Sequence, residues 1–329
     1  MADAVLMEKA LGAYVGLAVG DALGASVEFM TAGEIAALHG VHKDLRGGGW
    51  LRLNSGEVTD DTQMSLVLGE AILANPAWDT RRVAGAFSLW LQGRPVDVGN
   101  TCRRGLRRFM TDGTLSGPPN EGDAGNGAAM RNLPVVLSTL HDDEAFRQRS
   151  LEQAHITHNH RLSDAGTLGL GEMTRVLLKG GDLAAAVRAM EAMVAAEPSF
   201  NPRPWRGCSS GYIVDTVRTV LDAFLNSDSL EECVVRAVNR GGDADTTGAL
   251  AGQLAGALYG LRGVPVRWLR KLDPVVLDRI RRQVPALLAQ GGRGMPPAHG
   301  RHENLERKAG ESRSQEGLAG GIMECAAAP

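Results

Sequence analysis

Apolar positions recur at helical spacing along most of the chain. Val5–Leu23 carries them almost without a break, as a buried helix does. The same spacing predicts helices over Met64–Leu73, Arg82–Leu91, Asn100–Met110, Leu151–His155, Asp164–Leu178, Leu183–Ala195 and Ile213–Leu225. Leu230–Asn239, Thr246–Tyr259, Val266–Leu269 and Val275–Leu288 complete the set. Alternating strand patterns joined by hairpin turns are scarce. The expectation is therefore an all-α fold, one domain of about a dozen helices. Three long segments lack periodicity: 41–58 with Gly47-Gly48-Gly49-Trp50, 112–127 with Pro118-Pro119 and a glycine-rich run, and 197–211 with Trp205 and Gly211. Loops of this length inside a domain are commonly functional. Past Gln290 the pattern ends: 291–329 is rich in Gly, Ala, Ser, Arg and Glu, and is expected to form a disordered tail outside the fold.

Composition changes this picture little. Of 329 residues, 43% are hydrophobic and 22% charged, enough for a sizeable core. The net charge of −3 supplies no cationic field for nucleic acid. The arginines between Arg262 and Arg282, and the pairs Arg103-Arg104 and Arg107-Arg108, read as solvated helix faces before they read as a docking surface. Cys102, Cys208, Cys233 and Cys325 are far apart with no CxxC, which argues against a disulfide framework or a thiolate zinc site. The apolar stretch Ala10–Gly20 has no basic leader, and Gly248–Leu261 is shorter than the ~20 residues of a spanning helix. A cytoplasmic protein without direct membrane insertion is expected.

Two segments carry chemistry. Thr59-Asp60-Asp61-Thr62 and Gly241-Gly242-Asp243-Ala244-Asp245-Thr246-Thr247 each open a predicted helix. Asp and Thr are preferred helix caps, so for either segment alone capping is sufficient. Capping needs one such side chain, however, and each segment supplies two carboxylates that repel unless neutralised. Their ligand atoms are all hard oxygens, which suit Mg²⁺ or Mn²⁺ rather than zinc or copper. If the two helix starts converge, they can hold two divalent ions.

With Gly20-Asp21-Ala22-Leu23-Gly24 and Glu28 added, these motifs resemble, in order and spacing, the ADP-ribosylglycohydrolase family. Gly47–Leu53, Arg94–Thr101, Glu121–Arg131 and Ile156–His160 resemble more narrowly the members that act on dinitrogenase reductase. The resemblance spans about residues 5–290, making 1–290 the expected domain. It implies a centre of two Mn²⁺ (or Mg²⁺) ions held by Thr59, Asp60, Asp61, Asp243, Asp245 and Thr246. It implies catalytic roles for Asp97, as general acid or base, and for Glu28, as a ligand or an orienter of water. Helix capping is the bland alternative for Asp97. Substrate contacts are implied for Asn100, for the loop residues Glu121, Gly122, Asp123, Gly125, Asn126 and Gly127, and for His158. A glycine-rich turn can cradle pyrophosphate, although Glu121 and Asp123 would repel it unless they point away. Tyr212 is a candidate to stack on adenine, or a half-buried packing tyrosine. His155, His158 and His160 lack the second half of a zinc site.

The implied reaction is hydrolysis of the bond between ADP-ribose and an arginine of dinitrogenase reductase, which would reactivate nitrogenase. A PII signal protein and, through it, an ammonium transporter are the implied regulators, with membrane association only through such proteins. Other readings of the sequence are a relative acting on another linkage such as serine, a non-catalytic crystallin-like relative, and a metal-dependent phosphohydrolase.

Overall fold

Helix α1 (Ala2–Gly24) is buried on nearly every side from Ala10 onward, as its unbroken apolar run requires. Only a partner of very small residues lets a second helix approach it closely, and α12 (Ala244–Tyr259) is that partner. A Cβ on Gly16 would stand 2.1 Å from the carbonyl oxygen of Gly252, and one on Gly20 2.0 Å from that of Gly248. Gly12 meets Gly256 and Gly24 meets Ala244 in the same way, so the helices run antiparallel, backbone against backbone. This register sets the C-terminal end of α1, with Asp21 and, in the turn that follows, Glu28, beside the first turn of α12, with Asp243 and Asp245.

The computed structural model describes residues 2–205 and 207–291. Around the central pair lie α2 (Ala32–His39), α3 (Asp60–Ala74), α4 (Thr80–Gln92), α5 (Asn100–Asp112), α6 (Leu133–Ser138) and α7 (Asp143–His155). They are followed by α8 (Arg161–Leu178), α9 (Leu183–Ala196), α10 (Ile213–Leu225), α11 (Leu230–Val238), α13 (Val266–Leu269) and α14 (Pro274–Gly291). Helices α8, α10 and α11 cover one side of α12, and α3 and α14 pack on α1. Among the described residues there is no β-strand, only isolated bridges. The all-α, single-domain expectation holds. The expected tail lies, apart from Gly291, outside the described residues.

Three elements depart from the apolar pattern. Helix α2 buries only Ile35 and rests on a capping box between Thr31 and Glu34. Helix α6 is buried on all sides and so shows no periodicity. Helix α7 starts at Asp143 rather than Leu151, because Asp142 caps two polar turns. The segments 41–58, 113–127, 197–205 and 207–211 are loops, interrupted by short 3₁₀ turns at Glu121–Asp123 and Pro198–Phe200. Three of the arginines between Arg262 and Arg282 pair with acids: Arg267 with Asp44 and Glu231, Arg279 with Glu70 and Arg282 with Asp278. Cys102, Cys208 and Cys233 are free thiols.

Candidate active site and metal centre

The ends of α1, α3 and α12 and the loop before α5 open onto one cleft of about 580 Å³. Its wall includes Glu28, Asp60, Asp61, Asp97, Asp243 and Asp245, together with Thr246. Oxygen atoms of Glu28, Asp97 and Asp245 lie within 4.8 Å of one another, a group able to hold a cation.

Capping does not account for these carboxylates. Thr59 and Asp243 stand at the N-cap positions of α3 and α12, and neither side chain makes the capping bond. Helix α3 is capped from α1 instead. The fully buried Asp21 accepts the backbone N–H groups of Thr59 (3.0 Å) and Thr62 (3.1 Å) and the Thr62 hydroxyl (2.5 Å). Asp60 and Asp61 are thereby left to face the cleft. The Asp60 carboxylate accepts the Gly99 N–H at 3.1 Å, which ties the Asp97 loop to α3. Oδ2 of Asp61 accepts the hydroxyls of Thr59 and Thr246 at 3.3 and 3.2 Å. Its Oδ1 is buried with no hydrogen-bond partner. A buried carboxylate oxygen is expensive to leave unpaired, so an orphan among hard oxygen donors fits a divalent cation.

Electrostatics point the same way. Burial, then the neighbouring Asp97, pushes Asp60 up to about 8. Burial lifts Glu28 to about 8 against the opposing hydrogen bond from Trp50, with Asp97, Asp243 and Asp60 adding to the rise. Burial raises Asp61 and Asp245 well above the usual carboxylate range, with the charges of Asp21 and Asp60 adding at Asp61 and that of Asp61 adding at Asp245, and Asp97 is raised by burial. Acids held this close retain protons unless positive charge replaces them.

Gly125-Asn126-Gly127 lines the same cleft. Its glycines leave room for His158: a Cβ on Gly125 would meet the ring at 2.9 Å, and one on Gly127 at 2.8 Å. Asn126 donates to Asp243 (2.6 Å) and to Thr216 (2.9 Å), bracing the loop against α12. His158 lines the cleft, and its Nδ1 meets the Thr157 hydroxyl at 2.7 Å. That hydroxyl accepts from the fully buried Arg131, which also donates to Gln153 and lies over Phe87. Asn100 lines the cleft from the first turn of α5, whose cap, Gly99, has no side chain.

Other expected residues stand off the cleft wall. Glu121 reaches outward to His160, its side chain fully exposed. Asp123 is buried against Arg104 and accepts the Asn159 N–H, and Gly122 is exposed beside Asn120. Neither acid lines the cleft. Tyr212 is 44% exposed and paired through its backbone with Gly125 at the loop's outer edge. The three histidines diverge: His155 binds Asp164, and His160 caps α8. Asp21, Trp50, Phe29 and Arg131 enter the site or its support unannounced by spacing. The available signals for Asp21 were its place in the Gly20–Gly24 motif and a lone acid in the apolar run from Ala10.

The chain belongs to the ADP-ribosylglycohydrolase family, whose sequence profile matches residues 2–295. It is 54% identical over 285 residues to the ADP-ribosyl-[dinitrogen reductase] glycohydrolase of Rhodospirillum rubrum, covering 87% of this chain and 97% of that one. It is 34% identical to the ADP-ribosylarginine hydrolase Tri1 of Pseudomonas putida, over 81% of this chain and 74% of that protein. Among solved structures, an ADP-ribosylglycohydrolase-related protein complex superposes with a TM-score of 0.77 at 33% identity, over 87% of this chain and 99% of that chain.

Proposed function

We propose that this chain hydrolyses the N-glycosidic bond between ADP-ribose and an arginine of dinitrogenase reductase. The observation that carries the reading is the meeting of Glu28, Asp60, Asp61, Asp97, Asp243 and Asp245 in one cleft that the Gly125–Gly127 loop also lines. The high identity to a glycohydrolase named for that target supports the choice of substrate.

In this reading Thr59, Asp60, Asp61, Asp243, Asp245 and Thr246 hold two Mn²⁺ or Mg²⁺ ions. Bound there, the ions supply fixed positive charge for the ribose hydroxyls and for water. The protein does the rest. The Gly125–Gly127 backbone and His158 receive the diphosphate and ribose, Asn100 hydrogen-bonds the sugar, and Tyr212 borders the nucleotide. The C1–N bond breaks with positive charge developing on the ribose, which the surrounding carboxylates stabilise. Asp97, half-buried and held by the loop that Asp60 anchors, moves the proton between water and the departing guanidine. Glu28, oriented by the Trp50 N–H at 2.6 Å, faces the same point. The reading also includes recruitment by a PII signal protein and, through it, an ammonium transporter. No helix among the described residues is long and apolar enough to cross a membrane.

The test compares arginine-linked ADP-ribosyl dinitrogenase reductase with a serine-linked ADP-ribosyl peptide as substrates. Release of ADP-ribose from the first with recovery of unmodified arginine by mass, and little from the second, is expected. Preference for the serine linkage would overturn the assignment.

A further inference from the structure

Phe29 and Trp50 stand together at the mouth of the cleft, their ring centroids 5.5 Å apart and tilted by 44°. Both are exposed, Phe29 by 67% and Trp50 by 54%, so burial in the core explains neither. Phe29 also has φ +64, in the left-handed region that a bulky side chain avoids. Its N–H is pinned to the Gly242 carbonyl at 2.7 Å, which holds the ring at the rim. Glycine would satisfy that backbone without strain, so the aromatic ring is kept against a local cost. Trp50 is fixed in turn by its N–H on Glu28. Among the described residues six other aromatic rings already carry one of the chain's own guanidinium groups, for example Phe87 under Arg131 and Trp205 under Arg218. Phe29 and Trp50 have each other and an acidic cleft beside them.

We propose that Phe29 and Trp50 form a cation platform that receives the arginine guanidinium of the modified protein and selects the arginine linkage. The inference rests on the hydrolase reading above and assigns the leaving-group side of that site. The negative faces of the two rings attract a planar cation, and Glu28 beside them supplies an acceptor for its N–H groups. The nucleotide half of the substrate is left to the Gly125–Gly127 backbone and His158, with Tyr212 at the loop's edge.

The test is steady-state kinetics of Phe29→Gly and Phe29→Tyr with ADP-ribosyl-agmatine, a small guanidine conjugate, alongside inhibition by free ADP-ribose. Phe29→Gly, whose thermal melt should match or exceed that of the wild type, is expected to raise KM by on the order of tenfold. The rise in KM should exceed the fall in kcat, the inhibition constant of ADP-ribose should stay put, and Phe29→Tyr should restore KM. An unchanged KM overturns the platform. So does an equal loss of ADP-ribose affinity, which would assign the rings to the nucleotide. Failure of the wild type to release ADP-ribose from the conjugate is a different result: it removes the hydrolase reading, and the platform with it.

Discussion

Asp21 caps the helix that begins beside Thr62, receiving that residue's hydroxyl at 2.5 Å and its N–H at 3.1 Å from a position on another helix. A carboxylate spent inside the core thus releases two others, Asp60 and Asp61, to face the cleft. Asp21→Asn keeps the shape but sets an amide N–H₂ against donors. A loss of about 1–3 kcal/mol is expected, read as a lower denaturant midpoint, together with weaker Mn²⁺ binding. An unchanged midpoint and unchanged Mn²⁺ affinity would show that the cap does not organise the site.

The α1–α12 contact leaves no room for a methyl group. Gly16→Ala would place Cβ 2.1 Å from the Gly252 carbonyl oxygen and must push the helices apart. Overpacking of this kind costs about 1–3 kcal/mol or more, and here it also separates Glu28 from Asp245. Gly85, inside α4 with open space where its Cβ would be, is the control. Gly85→Ala should stabilise by roughly 0.5–1 kcal/mol. Chemical denaturation of the two variants should give opposite signs.

The orphan oxygen of Asp61 makes a stability prediction that runs against activity. With divalent cation at about a hundred times its Kd, the wild type should gain about 2.7 kcal/mol, or roughly 4–5 °C in Tm. Asp61→Asn should lose this gain and most of the turnover. Without cation it should melt no lower than the wild type, since the neutral amide removes the cost of protonating a buried carboxylate among other acids. Scanning calorimetry with Mn²⁺ and with chelator reads both effects; a full Mn²⁺ response in the variant would exclude Asp61 as a ligand.

Two histidines should titrate on opposite sides of the ordinary value near 6.5. Asp164 raises His155 by its hydrogen bond. Its stabilisation is present in full below the unfolded value and is lost as pH rises through the folded one. Burial, then Arg131 and Arg104, holds His158 well below 6.5. Below that pH the unfolded chain takes a proton there that the native chain refuses, so His158 disfavours folding as pH falls. Ring ¹⁵N NMR from pH 8 to 5 should show His155 charging first and His158 still neutral; the reverse order would contradict the assigned surroundings.

Much of the fold was legible because most helices bury one face or, like α1, nearly all of their surface. The exceptions have local causes. Helix α2 is made by its Thr31–Glu34 capping box and α6 by complete burial, and neither produces a period. In the site, the doubled acids at two helix starts announced chemistry, since a cap needs only one of them. The three-dimensional supports left no such mark. Asp21 reaches Thr62 and Trp50 reaches Glu28 across distances in sequence that no spacing rule encodes. The glycine loop was visible as composition, but the outward turn of Glu121 and the pairing of Asp123 with Arg104 are properties of the folded chain.

The most direct test is one preparation stripped of divalent cation, assayed on ADP-ribosyl dinitrogenase reductase, then reloaded with Mn²⁺ and assayed again. The predicted result is no release when stripped and restored release on reloading, with ADP-ribose as the product. Release by the stripped protein, or AMP as the product, would contradict a cation-dependent glycohydrolase centred on Asp60, Asp61, Asp243 and Asp245.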